Sequence, residues 1–96
     1  MNRPPAIGDV RYERGNYSVA IESHEQLSDA YVQVTAFRIS GWSQEEYSVV
    51  YKPVTAGSLH TVVTIPAELG AGRYKLYVYL INDGSRQTAV IRDIEV

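Results

Sequence analysis

The sequence predicts a small all-β sandwich of seven antiparallel strands, and three observations lead to that fold class. Seven short runs rich in Val, Ile, Tyr and Thr alternate with turn-forming clusters, a pattern typical of a sandwich or a barrel. No segment sustains the 3.6-residue hydrophobic period of a helix. The 96 residues suffice for one hydrophobic core, so residues 1–96 are expected to form a single domain, with 1–8 as an extended lead-in.

The strand positions follow from the apolar runs and from the breaks between them. We assign strands to Val10–Arg14, Tyr17–Glu22, Ala30–Ile39, Glu46–Tyr51, Leu59–Ile65, Arg73–Ile81 and Gln87–Val96. Gly15-Asn16 suits a tight turn, and Asn82-Asp83-Gly84-Ser85 is the strongest hairpin signal because Asp-Gly tolerates positive φ. Lys52–Ser58 is predicted as a loop, since it holds Pro53 and Gly57.

Pro66–Gly72 is predicted to cross from one sheet to the other, which favours a sandwich over a barrel. Alternation then assigns one face of three strands to the core. The inward residues are Tyr17, Val19 and Ile21; Ala30, Val32, Val34 and Ala36; and Tyr74, Leu76, Val78 and Leu80. In the last strand Val90, Ile94 and Val96 share a face with Arg92, which predicts a bulge or an exposed strand end.

The segment Thr64–Val78 resembles the region between the fifth and sixth strands of immunoglobulin-like and fibronectin type III-like modules. In those modules a Leu and a Gly precede a Tyr that opens the sixth strand, as Leu69, Gly70 and Tyr74 do here. The resemblance implies a seven-stranded antiparallel immunoglobulin-like β-sandwich, with the Tyr74 hydroxyl bonded back to the preceding loop. The chain departs from antibody-type domains because it has no cysteine and its one tryptophan follows the third strand.

Tyrosine is over-represented, with eight residues against one Phe and one Trp. If the third and sixth strands are neighbours, as the resemblance implies, the outer face of their sheet carries Tyr31, Phe37, Tyr77, Tyr79 and Ile81. Water normally meets a polar face on an antiparallel sheet. Two interpretations stand: cross-strand aromatic pairs that stabilise the sheet, or an exposed apolar patch that binds a partner.

Trp42 lies in a loop of small residues and is a further candidate. Tryptophan is enriched among the residues that anchor protein contacts, so Trp42 is one possible edge of a binding surface. The alternative, which we favour, is that its ring folds back over the open end of the core.

No recognisable catalytic or metal-binding motif is present. His24 and His60 are the only imidazoles, and neither accompanies a nucleophile motif such as Gly-x-Ser-x-Gly. Glu22, His24, Glu25 and Asp29 are the nearest approach to a cation site, without EF-hand or paired-histidine spacing. Solvated loop residues are the simpler interpretation. We therefore expect no enzyme activity, no metal and no cofactor.

Charge and hydropathy exclude two classes of partner. The 9 basic and 11 acidic residues are interspersed, so no basic stripe is available for nucleic acid. No apolar run approaches the about 20 residues that span a bilayer, so no membrane insertion is expected. The first residues lack the apolar core of a signal peptide. We expect an extracellular, cell-surface or virion location if the chain is part of a longer one, and a cytoplasmic location if it is full length.

Three functions fit these observations. The preferred hypothesis is a non-catalytic protein-interaction or structural module, an accessory domain of a larger surface, secreted or virion protein. Its partner would be a protein, a neighbouring domain or a second copy. The alternatives are a stand-alone inhibitor or regulator acting through loops around His24 and Asp83 with Trp42 nearby, and a carbohydrate-binding module that uses surface tyrosines. The candidate binding residues are Tyr31, Phe37, Trp42, Tyr77 and Tyr79.

Overall fold

A computed structural model of the chain describes residues 5–24, 26–56 and 60–96. These residues form seven strands: β1 Ala6–Glu13, β2 Asn16–Glu22, β3 Leu27–Ser40, β4 Ser43–Ala56, β5 His60–Pro66, β6 Arg73–Asn82 and β7 Ser85–Glu95. The described residues contain no helix, and hence none long and apolar enough to cross a membrane.

The strands pair antiparallel in two sheets. The smaller sheet has the order β1-β2-β5 and the larger has the order β4-β3-β6-β7. The β5–β6 connection crosses between the sheets, as predicted for Pro66–Gly72. The all-β, two-sheet prediction is therefore confirmed, and β3 and β6 are neighbours at the centre of the larger sheet.

The core lies between the two sheets and uses the predicted faces of β2, β3 and β6. All eleven residues that alternation directed inward are buried, and Tyr17, Val19, Val32, Val34, Ala36, Tyr74, Leu76, Val78 and Leu80 are fully so. Each large apolar side chain removed from water in this way stabilises the fold by roughly 1.5–3 kcal/mol. The period-2 pattern thus identified the core faces of these three strands. Further core residues, which it did not assign, are Ile7, Val10, Leu27, Val54, Val63, Ile65, Ala67 and Leu69.

Three two-residue turns make the hairpins. At Arg14-Gly15 and Asp83-Gly84 both residues have positive φ, which matches the right-handed twist of the strands they join. The Asp83-Gly84 turn was predicted, whereas the first turn lies one residue earlier than Gly15-Asn16. The third, Gly41-Trp42, has positive φ at Gly41 alone, and it joins β3 directly to β4.

Several predicted strand boundaries were wrong. The strands β3, β4 and β7 each begin two or three residues before the predicted start. The first strand was predicted to begin at Val10, but β1 begins at Ala6, which pairs with Glu22. The fourth strand was predicted to end at Tyr51, but β4 continues to Ala56 and Pro53 pairs with Tyr31. A proline is tolerated there because β4 is an edge strand, where half of the backbone N–H groups have no strand to bond. Residues 1–4, 25 and 57–59 lie outside the described residues.

Bulges in the two edge strands of the larger sheet set which side chains share a face. In β4, Ala36 pairs with Ser48 and Phe37 with Glu46, so Tyr47 is the extra residue. In β7, the pairing skips Gln87, so the bulge lies before Val90 and leaves Arg92 on the same inner side as Val90 and Ile94. On the outer face, this register places side chains of β4 and β7 in the same rows as the odd-numbered residues of β3 and β6.

At each side of the sandwich, a positively charged side chain of the larger sheet forms a hydrogen bond to the smaller sheet. Lys52, on the inner side of β4, donates from Nζ to the Thr64 carbonyl of β5 at 2.7 Å. Arg92, on the inner side of β7, donates from Nη2 to the Gly8 carbonyl of β1 at 3.4 Å. Both acceptors lie on edge strands of the smaller sheet, so the two side chains occupy backbone groups that another strand would otherwise pair with.

Candidate functional site

The eight tyrosines divide into two groups of four. One group surrounds the β5–β6 connection and consists of Tyr12, Tyr17, Tyr47 and Tyr74. The other lies on the outer face of the larger sheet and consists of Tyr31, Tyr51, Tyr77 and Tyr79. The first group explains half of the tyrosine excess by structure alone, which leaves the second group as the candidate site.

Hydroxyl groups of the first group hold the β5–β6 connection. The Tyr12 hydroxyl donates to the Ala67 carbonyl at 2.8 Å and accepts from the Leu69 N–H at 3.0 Å. The Tyr74 hydroxyl donates to the Gly70 carbonyl at 2.7 Å, which confirms the bond predicted for Tyr74. These bonds satisfy backbone groups of a segment that belongs to no sheet.

Tyr47 and Arg38 complete the same anchor from the end of the β3–β4 hairpin. The Tyr47 hydroxyl accepts from the Gly70 N–H at 3.4 Å, and Arg38 donates to the Ala71 carbonyl at 3.0 Å. The Arg38 guanidinium also lies 5.9 Å from the centroid of the Tyr47 ring. The bulge at Tyr47 serves this contact, because it turns that ring inward onto Tyr74 at a centroid distance of 5.3 Å.

Burial keeps two of these tyrosines neutral. Burial raises the pKa of Tyr17 well above its ordinary value, and the nearby Tyr12 and Tyr74 add to the shift. Burial, with the neighbouring Tyr47, also raises the pKa of Tyr74. The Tyr17 hydroxyl is buried without a hydrogen-bond partner among the described residues. Both rings fill the core, and the Tyr74 hydroxyl in addition bonds the Gly70 carbonyl.

The second group belongs to a continuous apolar surface, which we call the tyrosine face. Its residues are Tyr31, Gln33, Thr35 and Phe37 of β3, Tyr77, Tyr79 and Ile81 of β6, Val49 and Tyr51 of β4, and Ala89 and Ile91 of β7. The register arranges them in rows across the four strands. One row is Tyr51, Gln33, Tyr79 and Ala89, and the next is Val49, Thr35, Tyr77 and Ile91.

The residues at the two sides of the tyrosine face are the most exposed. Tyr51 is 70% exposed, Ile91 52% and Val49 46%, whereas the four aromatic residues named from the sequence are half-buried. Two ring pairs run across strands: Tyr31 with Tyr51 at 6.1 Å and Phe37 with Tyr77 at 5.2 Å, both edge to face. Ring pairing is therefore present, but it leaves a large apolar area in contact with water.

Charged residues border the tyrosine face at its ends. At one end the Arg86 guanidinium lies 4.3 Å from the centroid of the Tyr79 ring, a distance suited to a cation–π contact. At the other end Phe37 shares its row with Glu46, Lys75 and Asp93. The surface thus has an apolar centre and a polar rim, the arrangement typical of protein interfaces.

A shallow depression lies at one corner of the tyrosine face. It has a volume of about 240 Å³ and is lined by Tyr31, Gln33, Tyr51 and Pro53. Two ring edges, a prolyl ring and one amide surround it. The depression is open to solvent along the sheet, and it continues the tyrosine face without a boundary.

The structure brings together four of the five predicted binding residues. Tyr31, Phe37, Tyr77 and Tyr79 share the outer face, as predicted. Strands β4 and β7 also contribute residues that were not predicted, above all Tyr51 and Ile91. Alternation within those strands was visible, but their register against β3 and β6 depends on the two bulges, which no local pattern located.

Trp42 is separate from the tyrosine face. Its side chain is fully exposed at the tip of the β3–β4 hairpin, so the favoured interpretation that it covers the core was wrong. His24 and Asp83 lie at the opposite end of the sandwich, where the Asp83 N–H meets the Asp29 carbonyl at 3.4 Å. Trp42 is therefore not near the two loops with which the regulator hypothesis grouped it.

The histidines form no larger constellation in the described part of the chain. His60 Nε2 lies 3.7 Å from Glu22 Oε1, and both side chains are exposed. They line a small depression of about 170 Å³ with Ser23 and His24. No group of three His, Cys, Asp or Glu that could hold a metal ion occurs among residues 5–24, 26–56 and 60–96. Glu25, part of the predicted cluster, is outside these residues.

Comparison with known proteins adds no family assignment. No protein-family model matches the sequence, and no curated protein matches it significantly.

Proposed function

We propose that this chain is a non-catalytic, immunoglobulin-like or fibronectin type III-like interaction module that binds a protein through the tyrosine face. The observation that carries the proposal is the apolar centre of a sheet surface that faces water. Antiparallel sheets in small domains normally present polar side chains on that side. Contiguous apolar surface with a polar rim marks interaction sites in monomeric proteins.

Two features support the immunoglobulin-like part of the proposal. Seven strands divide between two antiparallel sheets with β3 and β6 at the centre of one, and the Tyr74–Gly70 bond corresponds to the tyrosine corner of such modules. One feature departs from the constant-type immunoglobulin arrangement. There the fourth strand joins the sheet of the fifth, whereas β4 pairs with β3.

Energetics favour binding over strand stabilisation for the outer residues of this face. A cross-strand pair contributes roughly 0.2–1 kcal/mol, which accounts for the half-buried Phe37–Tyr77 contact. Tyr51 and Ile91 keep more than half of their surface in water, so folding gains little from them. The hydrophobic gain of these two side chains is still available to a partner.

A carbohydrate is the second candidate, favoured by one observation. The depression between Tyr31, Gln33, Tyr51 and Pro53 combines ring surfaces with an amide that donates and accepts hydrogen bonds. The protein partner is preferred because the exposed apolar residues extend across all four strands, far beyond that corner.

A library of random displayed peptides, panned on the immobilised protein at low density, tests the proposal without knowledge of the natural partner. We expect enriched peptides that bind the wild-type chain and lose binding to Tyr51→Ser and Tyr77→Ser. The matched control is Val62→Ser, because Val62 is a similarly exposed apolar residue (66%) on the smaller sheet.

Three outcomes would contradict the proposal. The first is enrichment of peptides that bind the two tyrosine variants as well as the wild type, and the second is no enrichment at all. The third is selective binding on a glycan array that Tyr51→Ser abolishes, without peptide enrichment, which would identify the carbohydrate candidate instead.

A further inference from the structure

We infer that the partner of the tyrosine face is a second copy of this chain, packed face to face about a two-fold axis parallel to the strands. The inference rests on the proposed function, because it names the occupant of the same surface. The basis of the inference is the size of the opposed side chains. Under this symmetry operation, large side chains in the central rows of one copy lie over small or flexible side chains in the same rows of the other.

The operation brings β4 of one copy over β7 of the other, and β3 over β6. Across the first row, the large Tyr51 then meets the small Ala89 of the second copy, and Tyr79 meets Gln33. Large side chains consequently fall on small or flexible ones.

The neighbouring row repeats this pattern. Tyr77 meets Thr35 of the second copy, and Thr35 is buried to 7% exposure at the floor of the face. Val49 meets Ile91, two branched aliphatic side chains of similar exposure. Interdigitation of this kind is what packed sheets require at a separation of about 10 Å.

The alternative two-fold axis, perpendicular to the strands, lacks this complementarity. It places each strand over its own copy, so that an axis through the row of Tyr51 and Tyr79 sets each of these rings directly against itself. The register of this sheet therefore distinguishes the two symmetric arrangements.

The available area suits a reversible dimer. Four strands about 4.8 Å apart and the seven paired rows from Tyr31 to Phe37, each about 3.3 Å, give a flat footprint of about 440 Å². Standard stable interfaces bury about 800 Å² of accessible surface on each partner, and side-chain relief raises the accessible area above the flat footprint. The face is thus the size of a weak, reversible contact.

Charge is also compatible with the arrangement. Aligned sheets cross at about −30°, so the central rows stay opposed while the end rows diverge. In one end row the operation brings Glu46 over Asp93 of the second copy, and this divergence keeps the two carboxylates apart and hydrated, with Lys75 beside Asp93 in the same copy. These groups remain hydrated at the rim, and the apolar centre carries no charge that association would bury.

Sedimentation equilibrium from about 10 μM to about 1 mM provides the first test, a range that covers dissociation constants of weak dimers. We expect a monomer–dimer equilibrium for the wild type, with dissociation constants raised at least about tenfold by Tyr51→Ser and by Ala89→Arg. Val62→Ser should leave the equilibrium unchanged. A wild type that stays monomeric throughout would overturn the inference.

Cysteine cross-linking tests the arrangement itself, since the chain contains no cysteine. Val49→Cys and Ile91→Cys proteins, mixed in equal amounts and treated with a short bismaleimide that spans the gap between the sheets, should form the mixed cross-linked dimer well above the statistical share. A statistical distribution, or a preference for the Val49–Val49 and Ile91–Ile91 products, would overturn the inference. An equal mixture of Val62→Cys and Ile91→Cys measures collisional background.

The two proposals fail differently. A monomeric wild type whose enriched peptides still depend on Tyr51 would refute self-association and leave the protein-binding function standing. A wild type that neither binds peptides in a way that depends on Tyr51 nor dimerises through the tyrosine face would refute both proposals.

Discussion

Tyr17 and Tyr74 are two fully buried tyrosines whose hydroxyl groups have opposite surroundings. The Tyr74 hydroxyl donates to the Gly70 carbonyl, whereas the Tyr17 hydroxyl is buried without a partner among the described residues. Their rings make similar contributions to packing, since both are fully buried in the core. The contribution of each hydroxyl to stability should therefore differ in sign.

The same substitution at the two positions tests this difference. Tyr17→Phe should raise the free energy of unfolding by about 1 kcal/mol, because an unsatisfied buried polar group is removed. Tyr74→Phe should lower it by about 1 kcal/mol, because the Gly70 carbonyl loses its donor. Urea denaturation followed by circular dichroism gives both values. Equal effects of the two substitutions would contradict the assigned environments.

Alkaline pH should destabilise the fold through the same residues. Because burial raises the pKa of Tyr17 above its ordinary value of 10.0, the folded state retains a proton that the unfolded state releases. Stability is therefore complete below about pH 10 and falls as the pH rises beyond it.

Urea midpoints measured from about pH 8 to about pH 11 test this prediction. The loss at high pH should be smaller in Tyr17→Phe than in the wild type. Tyr51→Phe, at an exposed tyrosine, is the control and should follow the wild-type profile. A profile of Tyr17→Phe that matches the wild type would show that Tyr17 does not govern the alkaline limit.

Strand β4 is the element that carries most of what sequence reasoning missed. β2, β3 and β6 each have one face in the core, so alternation identified their inward residues and placed Tyr31, Phe37, Tyr77 and Tyr79 outside. β4 is an edge strand with few buried residues, and its alternation changes phase at Tyr47. Its length and its contribution of Tyr51 depend on contacts with β3 that the local sequence does not encode.

Trp42 was misplaced for a related reason. Burial of a turn residue depends on whether another segment covers that end of the sandwich. The β5–β6 connection does approach, but it is anchored by Tyr12, Tyr47 and Tyr74 and leaves the hairpin tip uncovered. Of that anchor, the sequence indicated only the Tyr74 bond, through the family resemblance.

Positively charged side chains from the larger sheet protect the edge strands of the smaller sheet from pairing with other chains. Lys52→Met should change the free energy of unfolding by less than about 1 kcal/mol, since the side chain is exposed. It should nevertheless accelerate aggregation near the unfolding midpoint, because the Thr64 carbonyl of β5 becomes available to another strand.

Lys75→Met is the matched control, because Lys75 is the only other lysine and lies on the outer side of β6. It makes the same change in charge and hydropathy without exposing the β5 edge. Thioflavin T and light-scattering kinetics measure the difference. Similar aggregation rates for the two variants would argue against edge protection by Lys52.

At the scale of the whole molecule, the inner surface of the larger sheet packs in the core, and the outer surface of the same sheet is the one proposed to bind a partner. Leu76→Ala, between the sheets, should lower the free energy of unfolding by about 2–5 kcal/mol, because it leaves a cavity in the packed core. Ile91→Ala, on the tyrosine face of the adjacent strand, should lower it by less than about 1 kcal/mol.

Denaturation at low protein concentration, where any dimer is dissociated, measures both values. A loss at Ile91 comparable to that at Leu76 would support the alternative interpretation, in which the outer residues mainly stabilise the sheet. A small loss at Ile91, combined with weakened association, would separate folding from binding.

The full exposure of Trp42 has a practical consequence for optical experiments on this protein. Its indole is in water when the chain is folded and again when it is unfolded, so tryptophan emission should shift little across the unfolding transition. Tyrosine absorbance and circular dichroism should report that transition instead. The chain thus carries a native fluorophore at the hairpin tip that is silent during denaturation, and a blue shift of its emission would identify any molecule that docks there.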